Sequence, residues 1–300
     1  MKYRIAVLTI ILLFLGSGPA AAEKVRIKYV TAAYNGANGA SLQRPEGVAC
    51  DGDAFWVADT GNNRLLRFAL KDQTLSAEAE IEVTNASPTV IQVNSKGEIY
   101  VLNTKERRIV LLNAQGEPKG FVTPKNMPGD KQVTPKSFKI DGEDNIYILD
   151  LFSSRVLVLD PKGQYRREIA FPEEHGFFSD LAVDSRGTIF LLDSVKSEIQ
   201  TANADAESFT LLTKNLEEFV NFPTSLAVDS RNGNIYVVDQ YGSGLALVGR
   251  DGSFLGRKLG LGWKESLLYY PAQICLAQDG HIFIADRNNN RAQLFTAAED

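Results

Sequence analysis

One short motif returns six times along this chain, and a fixed period constrains a fold more tightly than any composition does. Its clearest copy reads FPTSLAVDSRNGNIYVVD and ends at Asp239. The others are RPEGVACDGDAFWVAD, SPTVIQVNSKGEIYVLN, TPKSFKIDGEDNIYILD, FFSDLAVDSRGTIFLLD and YPAQICLAQDGHIFIAD, ending at Asp59, Asn103, Asp150, Asp193 and Asp286. In chain order the six endpoints stand 44, 47, 43, 46 and 47 residues apart. Within a copy, an apolar segment after the Pro and an Ile/Phe-aromatic-apolar segment flank a Gly-containing turn. This is the composition of a short β-hairpin. A period of this length with a hairpin in each unit suits the four-stranded blade of a β-propeller.

The rest of each unit supplies two further strands. Arg64 to Phe68, Arg108 to Leu112, Arg155 to Leu159 and Arg291 to Phe295 read as third strands. Glycine turns such as Gln115-Gly116-Glu117 and Pro161-Lys162-Gly163 introduce weaker fourth ones. Copy six stops after its third strand, whereas Val25 to Val30 is a strand with no copy of its own. The predicted fold is all-β: a six-bladed propeller of four-stranded antiparallel blades, with the N-terminal strand completing the last blade and covering its open edge. Helical periodicity is confined to the first residues. There Lys2 and Arg4, the apolar run Ile5 to Leu15 and the small residues before Glu23 read as a signal peptide over residues 1–22. Residues 23–300 then form one exported propeller domain, periplasmic or secreted.

A formal charge of −5 lacks the basic footprint of a nucleic-acid partner. No later stretch is long and apolar enough for a membrane helix, so no integral membrane protein is expected after leader cleavage. Cys50 aligns with Val228 and Cys275 with Ala227, so the two thiols point to opposite faces of their strands. They are therefore expected to be separate buried thiols.

Asp59-Thr60-Gly61-Asn62-Asn63-Arg64 and Asp286-Arg287-Asn288-Asn289-Asn290-Arg291 carry an acidic-turn-basic signature. With its six copies from Arg44 to Phe295, the chain resembles the NHL repeat family. Copies two and three keep the basic residue as Arg108 and Arg155, while copies four and five have Glu198 and Gly244. A pair present in most blades reads as scaffold, the Asp capping its turn and the Arg pairing back to it. The resemblance implies a propeller but leaves the activity open, since this fold carries lactonases, lyases and binding modules.

Loops before the first strand and between the second and third open on one face around the channel. The residue after each copy's Pro (Phe178 stands in its place in copy four), and its neighbour, should line that mouth: Glu46, Thr89, Lys136, Ser179, Thr224 and Ala272, then Gly47, Val90, Ser137, Asp180, Ser225 and Gln273. Similarity to calcium-dependent lactonases of the gluconolactonase and paraoxonase type rests on Glu46, which matches their first-blade Glu. It implies a Ca2+ site on Glu46 and Asp180, since calcium takes six to eight oxygen ligands. Lys136 and Thr224, however, stand where ligands are needed. The two histidines, His175 and His281, are too few for the three-histidine zinc centre of an amidating lyase. No general-base histidine suits a streptogramin-lyase-like elimination, and no nucleophile elbow is present. The same face carries the aromatics Phe152, Tyr241, Trp263 and Tyr269. Together with Lys136 and Asp180 they form the expected binding surface for a protein or cell-envelope ligand. The leading expectation is thus a non-catalytic, cofactor-free binding scaffold, with the calcium-dependent lactonase as the alternative.

Overall fold

A computed structural model describes residues 25–83, 86–129, 132–213 and 215–298. The expected leader lies outside the described residues. Six four-stranded sheets occupy the described chain, and five run in simple sequence order from the inner to the outer strand. The fifth blade shows the pattern: strand a Pro223–Val228, b Ile235–Asp239, c Gly244–Val248 and d Phe254–Lys258, each pairing antiparallel with the next. Strands b and c are wholly buried, as runs such as Ile235-Tyr236-Val237-Val238 require, because both faces of a blade meet a neighbour.

The sixth sheet is the exception that closes the ring. Its inner strands are Ile274–Leu276, His281–Asp286 and Arg291–Ala298, and its outermost strand is Arg26–Ala33 from the other end of the chain. Arg26 lies opposite Ala298 and Ala33 opposite Ala292, with a bulge between Tyr29 and Thr31. Sequence reasoning placed this latch correctly and stopped it three residues early.

A covalent bond doubles the latch. Cys50 and Cys275 form a disulfide with their Cα atoms 5.8 Å apart, which corrects the expectation of separate thiols. The two cysteines do occupy opposite faces of equivalent strands. Neighbouring blades in a ring, however, meet through opposite faces: one blade's front packs on the next blade's back. Opposite-face placement is therefore what a bridge between blades one and six needs.

The hydrophobic core is correspondingly divided among six blade-to-blade seams. Between blades six and one, Phe283, Ala285 and Leu294 pack on Val48, Phe55, Val57 and Leu66. Between five and six, Tyr236, Val238 and Leu247 meet Ile274, Ile282 and Phe295. Burying a side chain of this size contributes about 1.5–3 kcal/mol, so each blade depends on both neighbours.

The repeated acid and arginine hold the blade connections. Arg64 Nε donates to Asp59 at 2.7 Å, Arg155 Nε to Asp150 at 3.0 Å and Arg291 Nε to Asp286 at 2.7 Å, all buried. The other carboxylate oxygen accepts a backbone N–H from the incoming loop: Gln43 on Asp59, Thr134 on Asp150 and Tyr269 on Asp286. In blade five, where Gly244 replaces the arginine, Arg257 of the outer strand supplies the ion pair to Asp239. In blade two, Asn103 replaces the acid and Arg108 lies over the Phe121 ring instead, 5.1 Å from its centroid.

Candidate functional site

The first strand of every blade starts at the axis, so the residues that open those strands converge on one end of the channel. There they line a pocket of about 520 Å³. Of the twelve positions expected at the mouth, all but Gly47 face it. Gly47 is excluded by a close approach between blades one and two, since a Cβ there would lie 2.4 Å from the Thr89 carbonyl oxygen.

Two of the polar residues serve as staples between blades. Asp180, buried in blade four, accepts from Ser137 Oγ of blade three at 2.5 Å and from Ser225 Oγ of blade five at 2.7 Å. It also accepts from the Leu226 N–H at 3.2 Å. Gln273 of blade six similarly accepts from the Val48 N–H of blade one at 2.9 Å. Both satisfy groups that a buried strand end would otherwise leave unpaired.

The groups left for chemistry are Glu46 and three cations. Glu46 Oε1 stands 3.9 Å from Arg287 Nη1, and Arg107 and Lys136 share the rim. Arg287 Nε is buried and has no hydrogen-bond partner. Lys136 Nζ lies over the Phe177 ring, 5.7 Å from its centroid. Arg107, Arg287 and Phe222 escaped sequence reasoning. The arginines come from the loops between second and third strands, and Phe222 precedes its Pro. The signal for Arg287 was its place directly after the repeat's final Asp.

The donor set does not fit calcium. Both Asp180 oxygens are already engaged by hydroxyls and a backbone N–H, Glu46 faces an arginine, and Lys136 adds a positive charge beside them. Among the described residues, no three His, Cys, Asp or Glu side chains gather as a metal site.

The four expected surface aromatics separate into a group of three and an outlier. Tyr241, Tyr269 and Trp263 belong to one connected set of rings on blades five and six, joined by Phe222 and Tyr270. Phe152, 69% exposed on blade three, stands outside it.

The NHL repeat profile matches residues 42–68 and 268–293, the first and last copies of the motif. No curated protein matches the sequence. Among solved structures, a gluconolactonase of Xanthomonas campestris superposes with a TM-score of 0.67 at 15% identity, covering 91% of this chain and 90% of its own. A luciferin-regenerating enzyme gives 0.64 at 13% identity, over 92% and 95% of the two chains. Virginiamycin B lyase from Staphylococcus aureus gives 0.59 at 13%, over 91% and 99%. At such identities the likeness is one of fold. These neighbours are nonetheless enzymes, and they overturn the expectation of a non-catalytic scaffold. That expectation rested on the lack of a local catalytic motif, whereas a propeller mouth draws its residues singly from separate blades.

Proposed function

We propose that the channel mouth of this six-bladed β-propeller, whose first and last motif copies match the NHL repeat, hydrolyses a small lactone. The observation that carries this reading is the Glu46–Arg287 pair at the rim, with Lys136 on the same pocket wall. Glu46 takes a proton from the attacking water as its oxygen bonds to the lactone carbonyl carbon. Arg287 and Lys136 stabilise the negative charge that gathers on the carbonyl oxygen. Collapse of that intermediate breaks the ring C–O bond, and the alkoxide leaves with the proton held on Glu46. Water and lactone become a hydroxycarboxylic acid, whose carboxylate finds cations at the same rim. No step passes through calcium, because the donors that would hold it are otherwise engaged. The gluconolactonase among the neighbours supports the reaction class.

Export, with cleavage after residue 22, belongs to the same reading and draws support from the disulfide, which persists in oxidising compartments. No helix among the described residues is long and apolar enough to cross a membrane.

The test is proton release on a pH-stat with glucono-1,5-lactone and simple five- and six-membered lactones, with and without added calcium. Turnover is expected without calcium. Glu46→Gln and Arg287→Met should each lower it by roughly a hundredfold or more while melting temperature holds. Opening rates equal to the uncatalysed ones, or full activity in Glu46→Gln, overturn the assignment.

A further inference from the structure

Five aromatic rings run outward from the mouth across blades five and six. Phe222, which lines the mouth, stacks on Tyr241 with centroids 4.9 Å apart. Tyr241 meets Tyr270 at 5.6 Å, Tyr270 meets Tyr269 at 5.2 Å, and Tyr269 meets Trp263 at 6.0 Å. Self-packing does not bury this row: Tyr241 stays 51% exposed and Trp263 74%.

Its backbone is held rigidly and at a cost. Phe222 and Tyr270 each precede a blade's opening Pro with positive φ, 79° and 49°. The same turn position carries Arg44 and Ser87 in blades one and two, so the conformation belongs to the repeat. Placing a bulky ring in it is uncommon and strained, and such strain gathers at functional sites. The loop bearing Trp263 is fixed from beneath. Buried Arg291 donates to the carbonyl oxygens of Trp263 at 3.1 Å, Lys264 at 2.8 Å and Leu267 at 2.9 Å.

We propose that these rings form a stacking track for an oligosaccharide whose terminal unit enters the mouth. A sugar ring has an apolar C–H face and a polar rim. The exposed Tyr241 and Trp263 rings are neighboured in the chain by polar Gln240 and Lys264, and the ring-to-ring steps of 4.9 to 6.0 Å are comparable to one sugar unit. A lipid tail would want a continuous apolar floor, which tilted and edge-on tyrosines do not supply. Pre-organisation by Arg291 and the strained turns lowers the ordering entropy that binding must overcome. The proposal rests on the lactone reading and extends it: the substrate is the lactone end of a sugar chain, so an oxidation of chain ends must supply it.

The test is calorimetric titration of the folded protein with cello-, chito- and malto-oligosaccharides of two to six units. At least one series should bind with affinity rising about tenfold between the disaccharide and the pentasaccharide. Trp263→Ala with Tyr241→Ala should lower pentasaccharide affinity by about tenfold or more, while Phe152→Ala, outside the track, leaves it unchanged. Melting curves confirm that each variant is folded. No binding at millimolar sugar, affinity independent of length, unchanged affinity in the double variant, or capture only of aromatic-rich peptides overturns the track. Lactone opening by the unvaried protein is scored separately. Opening without sugar-chain binding removes the track alone, and binding without opening removes the hydrolase reading alone.

Discussion

Replacing both cysteines with serine tests how the ring is held shut. The bond joins residues separated by 225 positions, so nearly the whole propeller lies inside the loop it closes. In the chain-entropy treatment, closing a loop of that length removes about 5 kcal/mol of disorder from the unfolded state. The folded ring already brings the two strands together through the blade-six to blade-one seam, so native contacts change little. Cys50→Ser with Cys275→Ser, and separately the wild type under reductant, should each lose about 5 kcal/mol of stability. For a domain of this size that lowers the melting temperature by roughly 10 °C or more. Urea unfolding followed by tryptophan fluorescence and far-ultraviolet circular dichroism gives the midpoint and slope. The m-value should rise, because an uncrosslinked unfolded chain exposes more surface. A loss below about 1 kcal/mol in both preparations, with an unchanged m-value, would refute the loop-entropy argument. Two titratable thiols in the denatured, unreduced wild type would refute the bond itself.

Two further outcomes follow from the same architecture. Asp286→Ala strands the buried Arg291 and frees the Tyr269 N–H and the Gln293 amide. It should cost about 3–5 kcal/mol in denaturant unfolding, whereas exposed Glu78→Ala, whose partners are Arg67 and Lys71, should cost under about 1 kcal/mol. Removing residues 25–33 uncovers the edge of Arg291–Ala298, so light scattering should show concentration-dependent association absent from the full chain.

The propeller was legible because each blade repeats its turn chemistry within a narrow period, and because the last copy lacked the strand found in surplus near the start. The mouth was legible for a related reason: the Pro of five copies, with Phe178 in its place in the fourth, marks where a strand leaves the axis, so Glu46, Lys136 and Asp180 could be placed from spacing alone. Their roles were not legible. Nothing in the order of residues reveals that Ser137 and Ser225, in the blades either side, occupy both oxygens of Asp180. Arg107 and Arg287 reach the rim from loops whose path depends on neighbouring blades. The cysteines were misread for the same reason, since alternation along one strand says which face a side chain takes but not which face the next blade presents.

Pairing Arg26–Ala33 with Arg291–Ala298 sets an order on biosynthesis. The first strand must wait, unpartnered, while five complete blades are made, because its neighbour follows all of them in the chain. Until then the growing arc exposes an unmated sheet at each extremity, and Cys50 has no sulfur to meet. Quality control of this molecule therefore falls at one late moment, when a single docking event mates both extremities and brings the two thiols within reach of oxidation.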